Sequence, residues 1–153
     1  MKNLILKFVQ RLRSDRGNAL IELAIGMTVL TTLILGAAEF GRIAYAAIEV
    51  NDAAHAGAAY GSANRTFAAD NANVTNAAKK DAPDVSGMTA SAVYWCQCSD
   101  GSASTCGASD CTGSRIIEYV TVNTTGTVNP LVYVPGLPKS YTVTGHAVMR
   151  VEQ

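Results

Sequence analysis

The fold is decided by residues 16–60, which read RGNALIELAIGMTVLTTLILGAAEFGRIAYAAIEVNDAAHAGAAY. From Ala19 to Ala38 this stretch holds twenty residues, and Glu22 is the only charged one among them. Because a helix rises about 1.5 Å per residue, twenty residues span roughly the 30 Å hydrocarbon core of a bilayer. This segment is therefore predicted to be a helix that crosses or anchors in a membrane.

The helical pattern continues past the apolar segment to about residue 62, and no proline interrupts it. Beyond Ala38, apolar residues recur at steps of three and four, which is typical of a helix with one buried face. We expect the inner half of the helix to face lipid or other helices and the outer half to pack against its own domain. The residues expected on the packed face are Phe40, Ile43, Ala47, Val50, Ala54 and Ala58.

The second half of the chain changes from helical to strand patterns. A shorter helix is predicted from about residue 68 to 81, and Pro83 ends it. Residues 88–97, 115–123 and 140–151 alternate in polarity or are rich in β-branched and aromatic types, which predicts three strands. The predicted fold is α+β: a long N-terminal helix, a short second helix, and a three- to four-stranded antiparallel sheet packed on the long helix.

The distribution of charge separates an N-terminal leader from the rest of the chain. The formal net charge is zero, but residues 1–17 carry five basic residues against one acidic residue. Because positive flanks stay on the cytoplasmic side, we expect a basic leader at 1–17, a transmembrane segment at 18–38 and an extracytoplasmic domain at 39–153. The basic residues form a leader and not a patch on the folded domain, which argues against a nucleic-acid partner.

An ordinary secretory signal peptide is the alternative interpretation of the same segment. Gly36, Ala37 and Ala38 are small residues that suit signal-peptidase cleavage before Glu39. The apolar run is longer than a usual signal-peptide core of about 7–15 residues, and it begins with a glutamate. A membrane anchor is therefore favoured over simple secretion.

Glu22 is the most informative residue of the apolar segment, because a carboxylate in a bilayer is costly and needs a function or a partner. A basic leader, Gly17, a four-residue spacer, Glu22 and an apolar helix follow one another. This order resembles the cleavage site of type IV prepilins, which implies cutting between Gly17 and Asn18 by a prepilin peptidase. The resemblance also implies that Glu22 pairs with an N-terminal amine in the assembled filament. The alternative is that Glu22 reaches headgroup water and has no further role.

Two motifs after the apolar segment extend the resemblance. An EFGR step at 39–42 is followed by an AA-x-x-GA-x-Y stretch at 53–60. With these motifs, residues 17–61 resemble the TadE-like minor pilins (pseudopilins) of tight-adherence, or Flp, pilus systems, and residues 137–152 resemble their closing strand more weakly. Leu23 and His55 depart from the family pattern, which often has Tyr and Arg there. The matching residues are Glu39, Phe40, Gly41, Arg42, Ala53, Ala54, Gly57, Ala58 and Tyr60.

The resemblance implies a function in cell adhesion machinery. It implies a single-pass protein of the bacterial inner membrane that takes part in assembly of a Flp-type type IV pilus. The implied partners are inner-membrane lipid, the prepilin peptidase, other pilin or pseudopilin subunits and the pilus assembly platform. Whether the protein stays in the membrane or enters the filament is left open.

Four cysteines lie within one short stretch: Cys96, Cys98, Cys106 and Cys111. In an oxidising compartment they predict two disulfides, and they lack the paired spacing of usual zinc sites. Cys96 and Cys98 point to the same side of a strand but are too far apart to bond each other. If residues 96–123 form one hairpin, nesting favours Cys96–Cys111 and Cys98–Cys106, although a Gly/Ser-rich loop also permits the crossed pairing.

The stapled loop 96–111 supports a second functional class, a secreted or membrane-anchored binding module that uses the loop for adhesion. An enzyme is the third class, and no catalytic motif supports it. His55 and His146 have no metal-ligand spacing, and residues 101–104 lack the strand–turn–helix context of a nucleophile elbow. We therefore expect no catalytic activity, no metal and no cofactor.

Overall fold

The computed structural model of the protein describes the backbone of residues 15–152 and the side chains of residues 18–152. The predicted leader, 1–17, lies outside the described side chains, and most of it lies outside the described backbone. The described chain is α+β, as predicted, and consists of helices followed by an antiparallel sheet. Its elements are α1 (Asp15–Ser62), α2 (Arg65–Ala69), α3 (Asn71–Asp81), β1 (Thr89–Cys98), β2 (Ala103–Ser104), β3 (Ile116–Val128) and β4 (Tyr141–Arg150).

The chain divides into two compact units, one ending at Gly41 and one beginning at Arg42, and the division falls within α1. In the first unit the side chains of residues 18–35 are all exposed, although most are apolar. Three threonines here donate their hydroxyls to the carbonyl four residues earlier, each at 2.8 Å: Thr28, Thr31 and Thr32. Their hydroxyls are thus satisfied within the helix.

The part of α1 in the second unit packs on the sheet through the predicted face. Val50, Ala54 and Ala58 are fully buried, and Ile43 packs against the core from its edge. The prediction was wrong for Phe40, which is 78% exposed. The second unit begins only at Arg42, so the buried face starts at Ile43.

The predicted second helix, 68–81, is two helices separated by Asp70. Asp70 has a non-helical backbone, and its carboxylate accepts a hydrogen bond from the amide of Asn73 at 3.1 Å. An aspartate in this position caps a new helix, so the chain ends α2 and starts α3 there. The predicted end before Pro83 is confirmed, since α3 stops at Asp81.

The sheet has the order β2-β1-β3-β4, and every neighbouring pair is antiparallel. The three long strands form the predicted meander, with β1 paired to β3 from Thr89↔Thr125 to Cys98↔Ile116. β3 extends to Val128, five residues beyond its predicted end at residue 123. The short strand β2 was not predicted, and it pairs with the end of β1.

Small side chains fill the core between the helices and the sheet. One cluster joins α1 to α3 and the middle of the sheet, and a second joins α1 to the segment after α3 and the far end of the sheet. The first contains Ala54, Ala58, Ala68, Val74, Ala78, Val120, Val122, Ala147 and Val151. The second contains Ala46, Val50, Ala53, Ala82, Val85, Val128 and Val143.

The backbone of α1 touches the sheet at one crossing point. The hydroxyl of Thr124 on β3 donates to the carbonyl of Val50 at 2.6 Å, and the bond is buried. A Cβ added to Gly145 on β4 would lie 2.7 Å from the Cα of Asn51, and one added to Gly126 would lie 2.9 Å from a methyl of Val50. Glycine is therefore required where the helix crosses β3 and β4.

We predict that Gly145→Ala destabilises the domain by about 1–3 kcal/mol, the usual cost of overpacking a filled core. The new methyl would overlap the α1 backbone, which cannot move aside as a flexible side chain can. Denaturant unfolding of the purified chain measures the change. Thr144→Ala on the exposed side of the same strand is the control, and an equal effect of both variants would contradict the crossing-point argument.

Candidate functional site

The first candidate site is the start of α1. Gly17 and Asn18, the predicted cleavage position, lie in the first turn of a helix that begins at Asp15. Glu22 follows on the same helix with its side chain exposed, among apolar side chains that are equally exposed. Within residues 18–152, no hydrogen bond or ion pair satisfies its carboxylate. The carboxylate of Glu22 is therefore open to a partner from outside this part of the chain.

By length and composition, α1 can span a membrane. The stretch Asn18–Ser62 contains a window with a mean hydropathy of 2.0 and no buried residue. It is the one such helix among the described residues. Since the described part of the protein's own core does not cover this window, it is a candidate membrane span.

The second candidate site is the cysteine loop, in which all four cysteines form disulfides. The bonds are Cys96–Cys106 and Cys98–Cys111, with Cα separations of 5.2 Å and 5.5 Å. The favoured nested pairing, Cys96–Cys111 with Cys98–Cys106, was wrong, and the crossed pairing is the one present.

The short strand β2 explains the crossed pairing. The chain turns immediately after β1, and β2 runs back along it with Cys96 opposite Ser104. This reversal brings Cys106 to Cys96, although Cys98 is closer in sequence. The loop then returns to the start of β3, where the amide of Ser99 donates to the carbonyl of Arg115 at 2.9 Å. Cys111 therefore arrives beside Cys98.

Asp110 organises the far side of the loop. One of its carboxylate oxygens accepts from the hydroxyl and the amide of Thr105, both at 2.7 Å, and from the amide of Gly107 at 3.2 Å. These bonds, led by that of the Thr105 hydroxyl, hold the pKa of Asp110 below its ordinary value. Their contribution to loop stability is thus present above the ordinary aspartate pKa and is lost as the pH falls through the lowered one.

The backbone and the side chain of Cys106 are both constrained. Its φ of 69° is in the left-handed region, which residues other than glycine adopt rarely. The amide of Cys106 donates to the hydroxyl of Ser104 at 3.0 Å, and its sulfur is bonded to Cys96. The loop therefore presents its exposed Ser, Thr and Asp side chains in a fixed shape.

A buried carboxylate, Glu118, lies beside the loop on β3, opposite Cys96. It is 3% exposed and pairs with Arg65 at the start of α2, whose Nε donates to Oε2 at 3.0 Å. Burial, and then a hydrogen bond to Glu118, raise the pKa of Tyr94 on β1. This cluster attaches α2 to the sheet and is structural.

Neither Asp110 nor Glu118 was predicted from the sequence as a structural carboxylate. Alternation along β3 places Glu118 on the same face as Val120 and Val122, so the strand pattern could have revealed a buried charge. Asp110 carries a weaker pattern, the G-x-x-D turn in which its amide donates to the carbonyl of Gly107 at 3.0 Å.

The described residues offer little catalytic chemistry. Among residues 15–152, no group of three His, Cys, Asp or Glu side chains is placed to hold a metal ion. His146 lies on the exposed face of β4 with Nδ1 2.7 Å from the side-chain oxygen of Asn123. A pocket of about 140 Å³ contains no histidine, cysteine or lysine; it is lined by Arg42, Asp84, Val85, Ser86, Thr127, Val128 and Asn129.

We predict that Cys96→Ser leaves a free thiol on Cys106 and that Cys98→Ser leaves one on Cys111. The reason is the crossed pairing, because each substitution removes the bonded partner of one specific cysteine. Alkylation of the unreduced, purified variants followed by mass spectrometry identifies the modified cysteine. Alkylation of Cys111 in the Cys96→Ser variant would instead support the nested pairing. In the chain-entropy model, the loss of either disulfide lowers the free energy of unfolding by about 3 kcal/mol.

Comparison with known proteins agrees with the geometry of the first site. No curated protein and no solved structure matches the chain. One family model does match: the model described as TadE-like protein covers residues 17–59. The matched range begins at the glycine before the apolar segment and extends over most of the α1 face that packs on the sheet. This match confirms the resemblance over residues 17–59, whereas the weaker resemblance of residues 137–152 stays a prediction.

Proposed function

We propose that this protein is a membrane-anchored minor pilin, or pseudopilin, that takes part in assembly of a tight-adherence (Flp-type) type IV pilus. One observation carries the proposal: the TadE-like segment coincides with a helix whose N-terminal part is apolar and exposed all round. Such a helix is stable in lipid before assembly and among neighbouring helices after it. A family of this type together with a candidate membrane helix indicates a pilus-associated protein.

The outward face of α1 in the second unit supports a role in assembly. Tyr45 and Ile48 lie on the side of the helix that does not face the sheet, and they are 59% and 60% exposed. Large apolar side chains on the solvent side of a helix are typical of a surface that another helix covers. We infer that neighbouring pilin or pseudopilin subunits pack against this face.

The proposed location is the inner membrane, with the N-terminus in the cytoplasm and residues 39–153 outside. The excess of basic residues in the leader supports this orientation. Two disulfides support an oxidising compartment for the second unit, because cytosolic thiols are kept reduced. The proposed partners are inner-membrane lipid, the prepilin peptidase, other subunits and the assembly platform.

Binding through the cysteine loop is the second candidate function. The loop between Cys96 and Cys111 has a fixed shape, and most of its side chains are exposed. A rigid polar loop loses little entropy on contact with a surface or ligand. The Cys96→Ser variant separates the two functions when assembly and adhesion are assayed independently: loss of adhesion alone assigns the loop to binding.

We predict that a prepilin peptidase cuts the chain between Gly17 and Asn18 and that Gly17→Arg blocks the cut. A long charged side chain would replace the smallest residue at the scissile bond. Mass spectrometry of the chain co-expressed with the peptidase identifies the first residue of the mature protein. Gly36→Ala is the matched control, because open space surrounds Gly36 and it lies outside the site. A mature chain that begins at Glu39 would favour a signal peptide instead.

We predict that Glu22→Ala leaves cleavage and insertion intact but lowers incorporation into filaments. Removing the carboxylate favours insertion by about 2–3 kcal/mol, whereas a neighbouring subunit's N-terminal amine would lose its counter-charge. Immunoblots of sheared pili and of membranes measure both steps. Thr28→Ala is the control, because the hydroxyl of Thr28 bonds only within its own helix. Incorporation of the Glu22→Ala protein at the normal level would refute the charge pairing.

A further inference from the structure

The connection between β3 and β4 exposes an unusual run of apolar side chains. Residues 129–140 read NPLVYVPGLPKS. Soluble surfaces rarely expose large apolar side chains in one contiguous group, so this loop indicates a surface that something covers. Five of them are between 47% and 63% exposed: Leu131, Val132, Tyr133, Val134 and Leu137.

A turn gives the loop a defined tip. The amide of Leu137 donates to the carbonyl of Val134 at 3.1 Å, and Gly136 has a φ of 96°. Proline followed by glycine with positive φ is typical of a type II turn, which holds the residues at its two ends close together. Val134 and Leu137 therefore form one apolar tip, with Pro135 between them.

The loop starts beside the residue at which α1 enters the second unit. The guanidinium of Arg42 donates to the carbonyl of Asn129 at 3.5 Å. Arg42 follows the last residue of the proposed transmembrane segment, Ala38, by four positions, which is about 6 Å along a helix. The chain itself thus holds the start of the loop within about one headgroup layer of the point where α1 leaves the hydrocarbon. This covalent tether gives the loop a high effective concentration at the bilayer surface.

The composition of the loop suits a lipid surface. Residues 129–140 contain no acidic residue. The ammonium of Lys139 lies 5.8 Å from the ring centre of Tyr133, and both residue types are typical of the membrane–water interface. Its three prolines, Pro130, Pro135 and Pro138, have no backbone N–H, so fewer donors lose water when the loop enters the interface.

We infer that residues 129–140 form a membrane-interface loop that inserts its apolar tip among the lipid headgroups of the bilayer that holds α1. The inference rests on the membrane anchorage in the proposed function. The second unit is then attached to the bilayer at two places, the helix and the loop. The loop contacts phospholipid and not a second copy of the chain, because α1 holds the loop of every molecule next to the bilayer.

Fluorescence in proteoliposomes tests the inference on the full chain. Tyr133→Trp is made in a Trp95→Phe background and reconstituted in phosphatidylethanolamine and phosphatidylglycerol with added brominated phosphatidylcholine. Val148→Trp in the same background is the control, because Val148 is also exposed but lies seven residues along β4 from Tyr141, roughly 23 Å away. We expect blue-shifted emission and loss of intensity by bromine quenching for Tyr133→Trp, and neither for Val148→Trp.

The other outcomes separate the inference from the proposed function. Co-flotation of the protein with liposomes, without quenching of Tyr133→Trp, overturns the interface loop and leaves the anchorage intact. A blue shift without bromine quenching means that protein covers the loop, which also overturns the lipid assignment. Failure of the full chain to co-float overturns the anchorage and, with it, this inference. Equal quenching of Val148→Trp would mean that the whole domain contacts lipid, which removes the special role of the loop.

Discussion

The architecture depends on the contact between the backbone of α1 and the sheet. Thr124 reaches the carbonyl of Val50 there, and Gly145 leaves no side chain between strand and helix. The same constraint holds about two and about three turns farther along α1, where a Cβ on Gly57 would lie 2.9 Å from that of Ala78 and one on Gly61 would lie 3.0 Å from Val120. The alanine- and glycine-rich composition of α1 therefore has two physical causes. Small residues suit helix packing in lipid, and they also let α3 and the sheet approach one helix.

The long periodic elements could be predicted from the sequence, and the short ones could not. α1 and the three long strands are specified by repeating patterns of polarity, which local exceptions do not disturb. The break at Asp70 and the strand β2 each depend on a few hydrogen bonds and have no period to detect. The disulfide pairing was predicted wrongly because β2 was not predicted. This two-residue strand runs antiparallel to β1 and carries the chain back towards Cys96. Connectivity in such a loop is set by the path of the backbone and not by spacing.

Glu118 and Glu22 both lie among apolar side chains, but they differ in what compensates the charge of the carboxylate. Glu118 is buried in the domain and has its partners there, Arg65 and Tyr94. Glu22 lies in the apolar part of α1, where the described residues supply no partner. Because an unpaired carboxylate in a low-dielectric medium is costly, the two positions differ in where the compensation comes from. Glu118 is compensated within one chain, whereas in the proposed membrane helix the carboxylate of Glu22 would need headgroup water or another molecule.

The composition of the core explains why the domain needs its covalent bonds. Its buried residues are mainly alanine and valine, which remove less apolar area from water than leucine or phenylalanine would. A small domain is stable by only about 5–15 kcal/mol, so two bonds of about 3 kcal/mol each are a large share. The bonds lie at the opposite end of β1 from Thr89, whose partner Thr125 is close to the helix crossing. Packing against α1 thus holds β3 from Val128 to Val120, and the disulfides hold the last residues of β1 and the loop that follows them.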